Sequence, residues 1–176
     1  MSMCSTLLRF APGVVFGAAM IAGEAGAQTC AVPAVLAVNT LTALDTCQGD
    51  SGLVIACSLL ALTGPAAVVR LQLPYPVGLV TVQSLTAGYD PAMLLLRSHC
   101  DNSAPCGMAV DSGIIVDTMD LAEVDSGDYF LAIAPIDFNS SSCGQVMVTY
   151  SMTQEQQALA LDGVFRGGLS APPANL

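Results

Sequence analysis

Short stretches in which apolar and polar residues alternate recur along the chain between turn-forming residues. Alternation with a period of two is typical of a β-strand that has one buried face. The clearest case is the segment 67–73, which would present Val69, Leu71 and Leu73 on one face and Val68, Arg70 and Gln72 on the other. Pro74 and Pro76 end this strand because proline cannot donate to a sheet ladder. Comparable patterns predict five more strands, over residues 78–85, 92–98, 113–121, 128–135 and 144–152.

The spacing of these strands indicates the fold class. Strands follow one another about every dozen residues without a long amphipathic helix between them, which favours an all-β, antiparallel sandwich over βαβ units. Residues 53–62 are apolar enough for a buried strand, although periodicity alone does not exclude a helix. Residues 153–161 would form one or two helical turns. Gly167-Gly168 and Pro172-Pro173 then predict a poorly ordered C-terminal tail.

The first 27 residues are typical of a secretory signal peptide. Arg9 precedes an apolar run over residues 10–22, and Ala25-Gly26-Ala27 supplies the small residues that favour cleavage before Gln28. The run is shorter than the roughly 20 residues of a membrane span, and polar residues break every later apolar run. We therefore expect a signal peptide (1–27), a β-sandwich domain (28–152) and a tail (153–176), in a secreted or periplasmic protein. The alternative is an uncleaved, buried N-terminal helix.

Charge narrows the range of partners. The chain has a net charge of −10, with 14 acidic residues against 4 arginines and no lysine. Such a chain repels phosphate backbones and anionic lipid, so nucleic-acid and membrane-surface roles are excluded as the main function. With 4 tyrosines and no tryptophan, the chain also has few rings on which sugars could stack.

Cysteine usage agrees with export. The predicted signal peptide contains Cys4, and the even number that remains predicts disulfides in an oxidising compartment. Cys100–Cys106 is the pairing we expect first, because it closes a short turn-forming loop, followed by Cys47–Cys57. Cys30 and Cys143 are the other two cysteines of the mature chain. A zinc site is disfavoured because no CxxC spacing occurs.

Residues 45–52, with the sequence Asp-Thr-Cys-Gln-Gly-Asp-Ser-Gly, resemble the nucleophile loop of trypsin-like serine proteases. The resemblance implies Ser51 as nucleophile and the N–H groups of Gly49 and Ser51 as the oxyanion hole. That family places its histidine before the serine, whereas the single histidine here, His99, follows it. Because a serine without a base is hardly nucleophilic, we interpret the segment as a turn and expect no enzyme. A serine endopeptidase using Ser51 is the alternative.

A wider resemblance covers residues 30–152. The segments 65–73, 78–82, 126–133 and 143–150 follow in the order of strands in the bacterial pre-peptidase C-terminal domain. The segment 88–100 looks like that family's most distinctive motif, an aspartate turn feeding a strand that ends in cysteine. The chain departs from the family where Gly107 to Val110 follow Cys106, in place of the common Asn-Asp-Asp. The resemblance implies a jelly-roll β-sandwich and a non-catalytic accessory module for an unknown protein or polymer outside the cytoplasm.

Carboxylates cluster in and around the later loops. One group is Asp111, Asp117 and Asp120, and a second is Glu123, Asp125 and Asp128. Asp90 and Asp101 flank the cysteine loop, and together with Asp111 they are candidate ligands for Ca²⁺, which prefers oxygen donors. No EF-hand spacing is present. Acidic loops in a chain without lysine are ordinarily solvated, so no cofactor is expected, and calcium at these aspartates is the alternative.

Overall fold

The computed structural model describes residues 28–57, 60–62, 64–113, 115–135 and 143–168. The predicted signal peptide and its cleavage point lie outside this part of the chain, as do residues 169–176 of the predicted tail. Eleven strands and one helix are found in the described residues: β1 (Ala34–Val35), β2 (Leu41–Asp45), β3 (Ala56–Cys57), β4 (Leu60–Ala61), β5 (Ala67–Leu73), β6 (Leu79–Ser84), β7 (Ala92–Arg97), β8 (Cys106–Val110), β9 (Val116–Asp120), β10 (Gly127–Ala134), β11 (Gln145–Ser151) and α1 (Gln154–Gly168). The described helix is not long and apolar enough to cross a membrane.

The strands form two main sheets with the winding of a jelly roll. Sheet I has the order β1-β5-β10-β7-β8 and sheet II the order β2-β11-β6-β9, while β3 and β4 pair separately. Apart from β1, β3 and β4, the strands pair from the outside inward: β2 with β11, β5 with β10, β6 with β9 and β7 with β8, all antiparallel. Nested pairing of this kind, divided between two sheets, is the jelly-roll arrangement. The predicted all-β antiparallel sandwich is therefore confirmed.

The main core lies between the two sheets and follows the predicted alternation. Val69, Leu71 and Leu73 of β5 are buried in it, opposite Val146 and Val148 of β11 in sheet II. Val68 lies on the outer face of sheet I, as predicted, and Arg70 and Gln72 share that face. Each of the six predicted strands is present, within about three residues of its expected bounds. The sequence prediction missed β1, β2 and β8, of which β8 contains Gly107 and Ala109, residue types that strands disfavour.

A second apolar cluster covers the outer face of sheet I. Residues 53–62 do not form the single buried strand that we expected but contribute the two short strands β3 and β4. Leu53, Ile55 and Leu62 are buried against Leu94 and other outward-facing residues of sheet I. This segment thus hides an apolar face that would otherwise be exposed to water.

One of the three disulfides attaches that segment to sheet I, and both predicted pairs are wrong. The observed bonds are Cys30–Cys100, Cys57–Cys106 and Cys47–Cys143. The first joins the N-terminal segment to the loop that follows β7, and the second joins β3 to the start of β8. The loop between Cys100 and Cys106 is instead closed by a turn in which Ala104 N donates to the Asp101 carbonyl, 3.0 Å away. Bonds that span 49 to 96 residues constrain the unfolded chain more than a short loop would, on the order of 4 kcal/mol each.

The described part of the predicted C-terminal tail, up to Gly168, is more regular than expected. The helix α1 continues from Gln154 to Gly168 and includes the Gly167-Gly168 pair, so it is longer than the one or two turns predicted. Its start is capped reciprocally: Gln156 N donates to Thr153 Oγ1, and Thr153 N donates to Gln156 Oε1. This pair of bonds satisfies N–H groups that the first turn of a helix otherwise leaves free.

Candidate functional site

Three aspartates from different parts of the chain converge at one corner of the sandwich. Asp90 precedes β7, Asp111 directly follows β8, and Asp117 lies in β9. One carboxylate oxygen from each lies within 4.8 Å of the others. Asp90 and Asp111 are exposed, whereas Asp117 is buried beneath them. The arrangement is a cup with two carboxylates at the rim and one at the base, and we call it the aspartate cup.

Strand alternation places Asp117 at the base of the cup. In β9, Val116, Thr118 and Asp120 face outward, and Asp117 and Met119 face the interior with no exposed surface. Asp117 lies opposite Val82 of the neighbouring strand, whose side chain belongs to the main core. A carboxylate in this position is exceptional, since buried charges are normally paired or bound to metal.

The hydrogen bonds of Asp117 satisfy only one of its two carboxylate oxygens. Its Oδ1 accepts from the backbone N–H of Ser112 at 2.7 Å and from the Ser112 hydroxyl. Its Oδ2 is buried and has no hydrogen-bond partner among the described residues. Asp111 Oδ1 accepts from Gly113 N at 3.0 Å, so the β8–β9 loop folds around the cup. Ser112 thus holds one face of the buried carboxylate and leaves the other unpaired.

Burial and neighbouring negative charges raise the pKa of two of the cup's carboxyl groups, those of Asp90 and Asp117. Burial is the main cause that raises the pKa of Asp117, with Asp111 adding to it, while the hydrogen bonds from Ser112 act against the shift. The pKa of Asp90 is also raised, first by desolvation and then by the charges of Asp111 and Asp117. In the absence of a counter-charge, the ionised forms of Asp90 and Asp117 are therefore disfavoured.

Of the three candidate ligands taken from the sequence, the structure brings Asp90 and Asp111 together, whereas Asp101 is not part of the cup. Asp101 Oδ1 accepts from Ser103 N at 2.7 Å and Ser103 Oγ at 2.6 Å, and His99 Nε2 lies 3.7 Å away. The Ser103 hydroxyl is the main cause that lowers the pKa of Asp101, followed by the Ser103 N–H. The third member of the cup, Asp117, belongs to one of the acidic groups in the sequence but is not among the three predicted ligands. The alternating pattern of β9, which puts Val116 and Thr118 on the opposite face from Asp117, is the signal that could have predicted an inward-facing carboxylate.

The protease-like segment is a closed turn. Asp45 accepts from Cys47 N at the start of a 3₁₀ turn over Thr46–Gln48, and Asp50 Oδ1 accepts from Gly52 N at 2.9 Å. The N–H of Gly49, which the resemblance assigns to an oxyanion hole, donates instead to the Thr46 carbonyl at 3.0 Å. A Cβ atom at Gly49 would lie 2.1 Å from the Ala66 carbonyl oxygen, so the segment packs tightly against the start of β5.

The histidine contacts a different serine. His99 Nε2 lies 3.4 Å from Ser103 Oγ, and Ser103 Oγ in turn donates to Asp101. Serine and aspartate therefore face the same ring nitrogen, whereas a catalytic triad requires the aspartate on the opposite nitrogen. The arrangement serves as a hydrogen-bonded loop rather than as an activated nucleophile.

The aspartate cup therefore combines three converging carboxylates with a buried oxygen that has no hydrogen-bond partner among the described residues. It presents oxygen donors alone, and every cysteine in the described residues is bound in a disulfide. A comparison with models of known protein families finds none that matches the chain, and a comparison with curated proteins finds no significant relative.

Proposed function

We propose that the chain is a non-catalytic β-sandwich module, of the pre-peptidase C-terminal type, that acts outside the cytoplasm and binds a protein partner. The partner would dock on the outer face of sheet II. The observation that carries this proposal is the lack of charge on that face. The outward positions concerned, which we call the neutral face, are Leu41, Ala43, Leu79, Thr81, Gln83, Val116, Thr118, Met147, Thr149 and Ser151.

The neutral face is built from rows that run across the strands. Thr149, Thr81 and Thr118 are register partners in β11, β6 and β9, and the last two hydroxyls lie 3.4 Å apart. Met147, Gln83 and Val116 form the adjacent row. At its margins Leu41 is 70% exposed and Leu79 42% exposed. Such a mixture of hydroxyl and apolar groups suits a protein interface, whose core is depleted in charge.

The charge of the rest of the chain makes this face distinctive. The net charge is −10, yet carboxylates reach the outer face of sheet II only at opposite corners, through Asp45 and Asp120. A partner surface without charge could bind the neutral face without contacting the acidic parts of the molecule. Little free energy would be spent on desolvating charged groups at such an interface. A polysaccharide would need aromatic rings for stacking, and no ring lies on the neutral face.

The two outer faces differ in a way that supports the proposal. Sheet I is covered by the chain's own segment 53–62, which the Cys57–Cys106 disulfide attaches to β8. Sheet II has no such cover among the described residues and remains accessible. The disulfides support a location outside the cytoplasm.

Site-specific photo-crosslinking tests the proposed face. A photoreactive residue at position 81 should give a covalent adduct with a protein of the extracytoplasmic fraction, whereas the same residue at position 72 should not. Gln72 is the matched control because it is a polar, exposed, outward-facing position near the end of β5 in the opposite sheet. Unlabelled protein should compete for the adduct, and a Thr81→Glu/Thr149→Glu double variant should not. Equal adducts from both positions, or none from position 81, would contradict the proposal, as would an adduct with the mass of a second copy.

A fluorophosphonate probe tests the catalytic alternative. We expect no covalent labelling of the folded protein, because the single histidine, His99, contacts Ser103. Labelling that disappears in Ser51→Ala but persists in Ser103→Ala would identify a serine hydrolase and overturn the non-catalytic proposal.

A further inference from the structure

We infer that the aspartate cup formed by Asp90, Asp111 and Asp117 is a structural binding site for a divalent cation of the calcium class. This site is separate from the neutral face and does not depend on the proposed partner. The inference rests on the unpaired buried oxygen of Asp117 together with the convergence of three carboxylates.

The buried carboxylate requires a partner that the described side chains do not supply. Asp117 has no exposed surface, and its Oδ2 accepts no hydrogen bond. An unpaired buried charge is costly, and proteins compensate for it with an ion pair or a metal. Arg70 and Arg97, the arginines with described side chains, pair with Asp128 and Asp125. A bound cation would satisfy the oxygen that these residues leave unpaired.

The donor set selects the class of ion. All three ligands are carboxylates, with donor oxygens within 4.8 Å of one another, so one ion can contact each of them. Hard cations such as Ca²⁺ prefer oxygen donors and tolerate irregular geometry, whereas zinc and copper favour histidine and cysteine. The three formal negative charges exceed the charge of one divalent ion. Because Asp90 and Asp111 are exposed, an ion and its remaining waters can enter from solvent.

The position of the cup gives the ion a structural role. Asp90 and Asp111 border strands of sheet I, and Asp117 belongs to sheet II. An ion shared by all three would join the sheets where the chain crosses from β8 to β9. It would also fix the loop that Asp111 and Ser112 organise. Cation binding should therefore stabilise the fold and protect this loop from proteolysis.

Calorimetry and thermal unfolding of chelator-treated protein test the site with Ca²⁺ itself. We expect one ion per chain, and a melting temperature that rises by at least about 2 °C in millimolar Ca²⁺. Asp117→Asn should weaken binding by at least about tenfold and abolish the thermal shift, because it removes the buried charge. Asp120→Asn is the matched control: it lies in the same strand, removes the same charge and keeps its cap on Ala122 N, since asparagine caps as well as aspartate. This control should bind Ca²⁺ like the wild type.

Two outcomes would overturn the inference. One is a wild-type protein that gives neither binding heat nor a thermal shift with Ca²⁺, Mg²⁺ or Mn²⁺ at up to about 10 mM, beyond the range of weak extracellular calcium modules. The other is a loss of binding that is equal in Asp117→Asn and Asp120→Asn. Asp111→Asn, at the exposed rim, provides a second variant if Asp117→Asn does not fold, and it should also weaken binding. Crosslinking from position 81 reports on the neutral face independently of either result.

Discussion

Two aspartates of this protein, Asp101 and Asp117, each accept hydrogen bonds from both the backbone N–H and the hydroxyl of one serine. The serine is Ser103 in the exposed loop after β7 and Ser112 in the loop before β9. The pKa of Asp101 is lowered, while that of Asp117 is raised. The same local hydrogen bonds therefore accompany pKa shifts in opposite directions.

Burial and neighbouring charge explain the difference. Asp101 keeps its contact with water and has His99 nearby, so the serine's bonds determine its shift. Asp117 is shielded from water by the core, and Asp111 nearby carries the same charge. Desolvation therefore raises the pKa of Asp117 by more than the two hydrogen bonds from Ser112 lower it. A serine can hold an ionised carboxylate at the surface, but it does not replace the lost solvent in the interior.

The largest expected effect comes from removing each serine hydroxyl in metal-free protein at neutral pH. Ser112→Ala should lower the free energy of unfolding by about 1–3 kcal/mol, because Asp117 is buried and loses a donor that it cannot replace from water. Ser103→Ala should leave the unfolding midpoint nearly unchanged, because water replaces the hydroxyl at Asp101. Urea denaturation of both variants measures the difference, and equal losses would show that burial does not distinguish the two carboxylates.

Replacing the buried aspartate with asparagine should change stability in the opposite direction from removing its serine hydroxyl. Without metal, Asp117→Asn should raise the free energy of unfolding by about 1 kcal/mol, because it removes a poorly solvated charge and keeps an oxygen for Ser112. Asp101→Asn should give no gain, since its charge is already stabilised where it lies. Thermal unfolding in chelator gives the comparison. A destabilised Asp117→Asn would mean that the carboxylate is satisfied without a cation.

The contributions of Asp117 and Asp101 to the free energy of unfolding should change in opposite directions as the pH falls. The raised pKa of Asp117 means that the folded state binds more protons than the unfolded chain above the ordinary value of 3.8. Its contribution to the free energy of unfolding should therefore increase as the pH falls through the folded-state pKa and level off below about 3.8. The lowered pKa of Asp101 stabilises the fold above the ordinary value, and this contribution is lost as the pH falls through its folded-state pKa. Carboxyl ¹³C titration of metal-free protein should place the midpoint of Asp117 above 3.8 and that of Asp101 below; midpoints on the same side would contradict the comparison.

The smallest expected effect concerns repulsion within the cup. Asp111→Asn should lower the pKa of both Asp90 and Asp117, because the charge of Asp111 contributes to raising each of them. The pKa of Asp101 should not move, which makes it an internal control in the same titration. If Asp90 and Asp117 also stayed fixed, desolvation alone would account for their shifts.

Part of this arrangement could be predicted from the sequence. The period-two pattern of residues 67–73 correctly gave the faces of β5, because alternation is a local property of an extended backbone. The sequence also shows the acidic residues of the cup, and it correctly predicts that Asp90 and Asp111 lie together. Asp101 is wrongly predicted as a third ligand, because its position beside Cys100 in the sequence does not reveal which way the loop turns.

The sequence by itself determined the number of cysteines, the alternating strands and the excess of acid over base. Only the tertiary structure decided which residues meet. Cys106 bonds to Cys57 rather than to Cys100 because the segment 53–62 folds over sheet I. Asp117 becomes a buried carboxylate because sheet I closes over the inner face of β9. Both outcomes depend on contacts between strands far apart in the chain, whereas periodicity and composition report only on neighbouring residues.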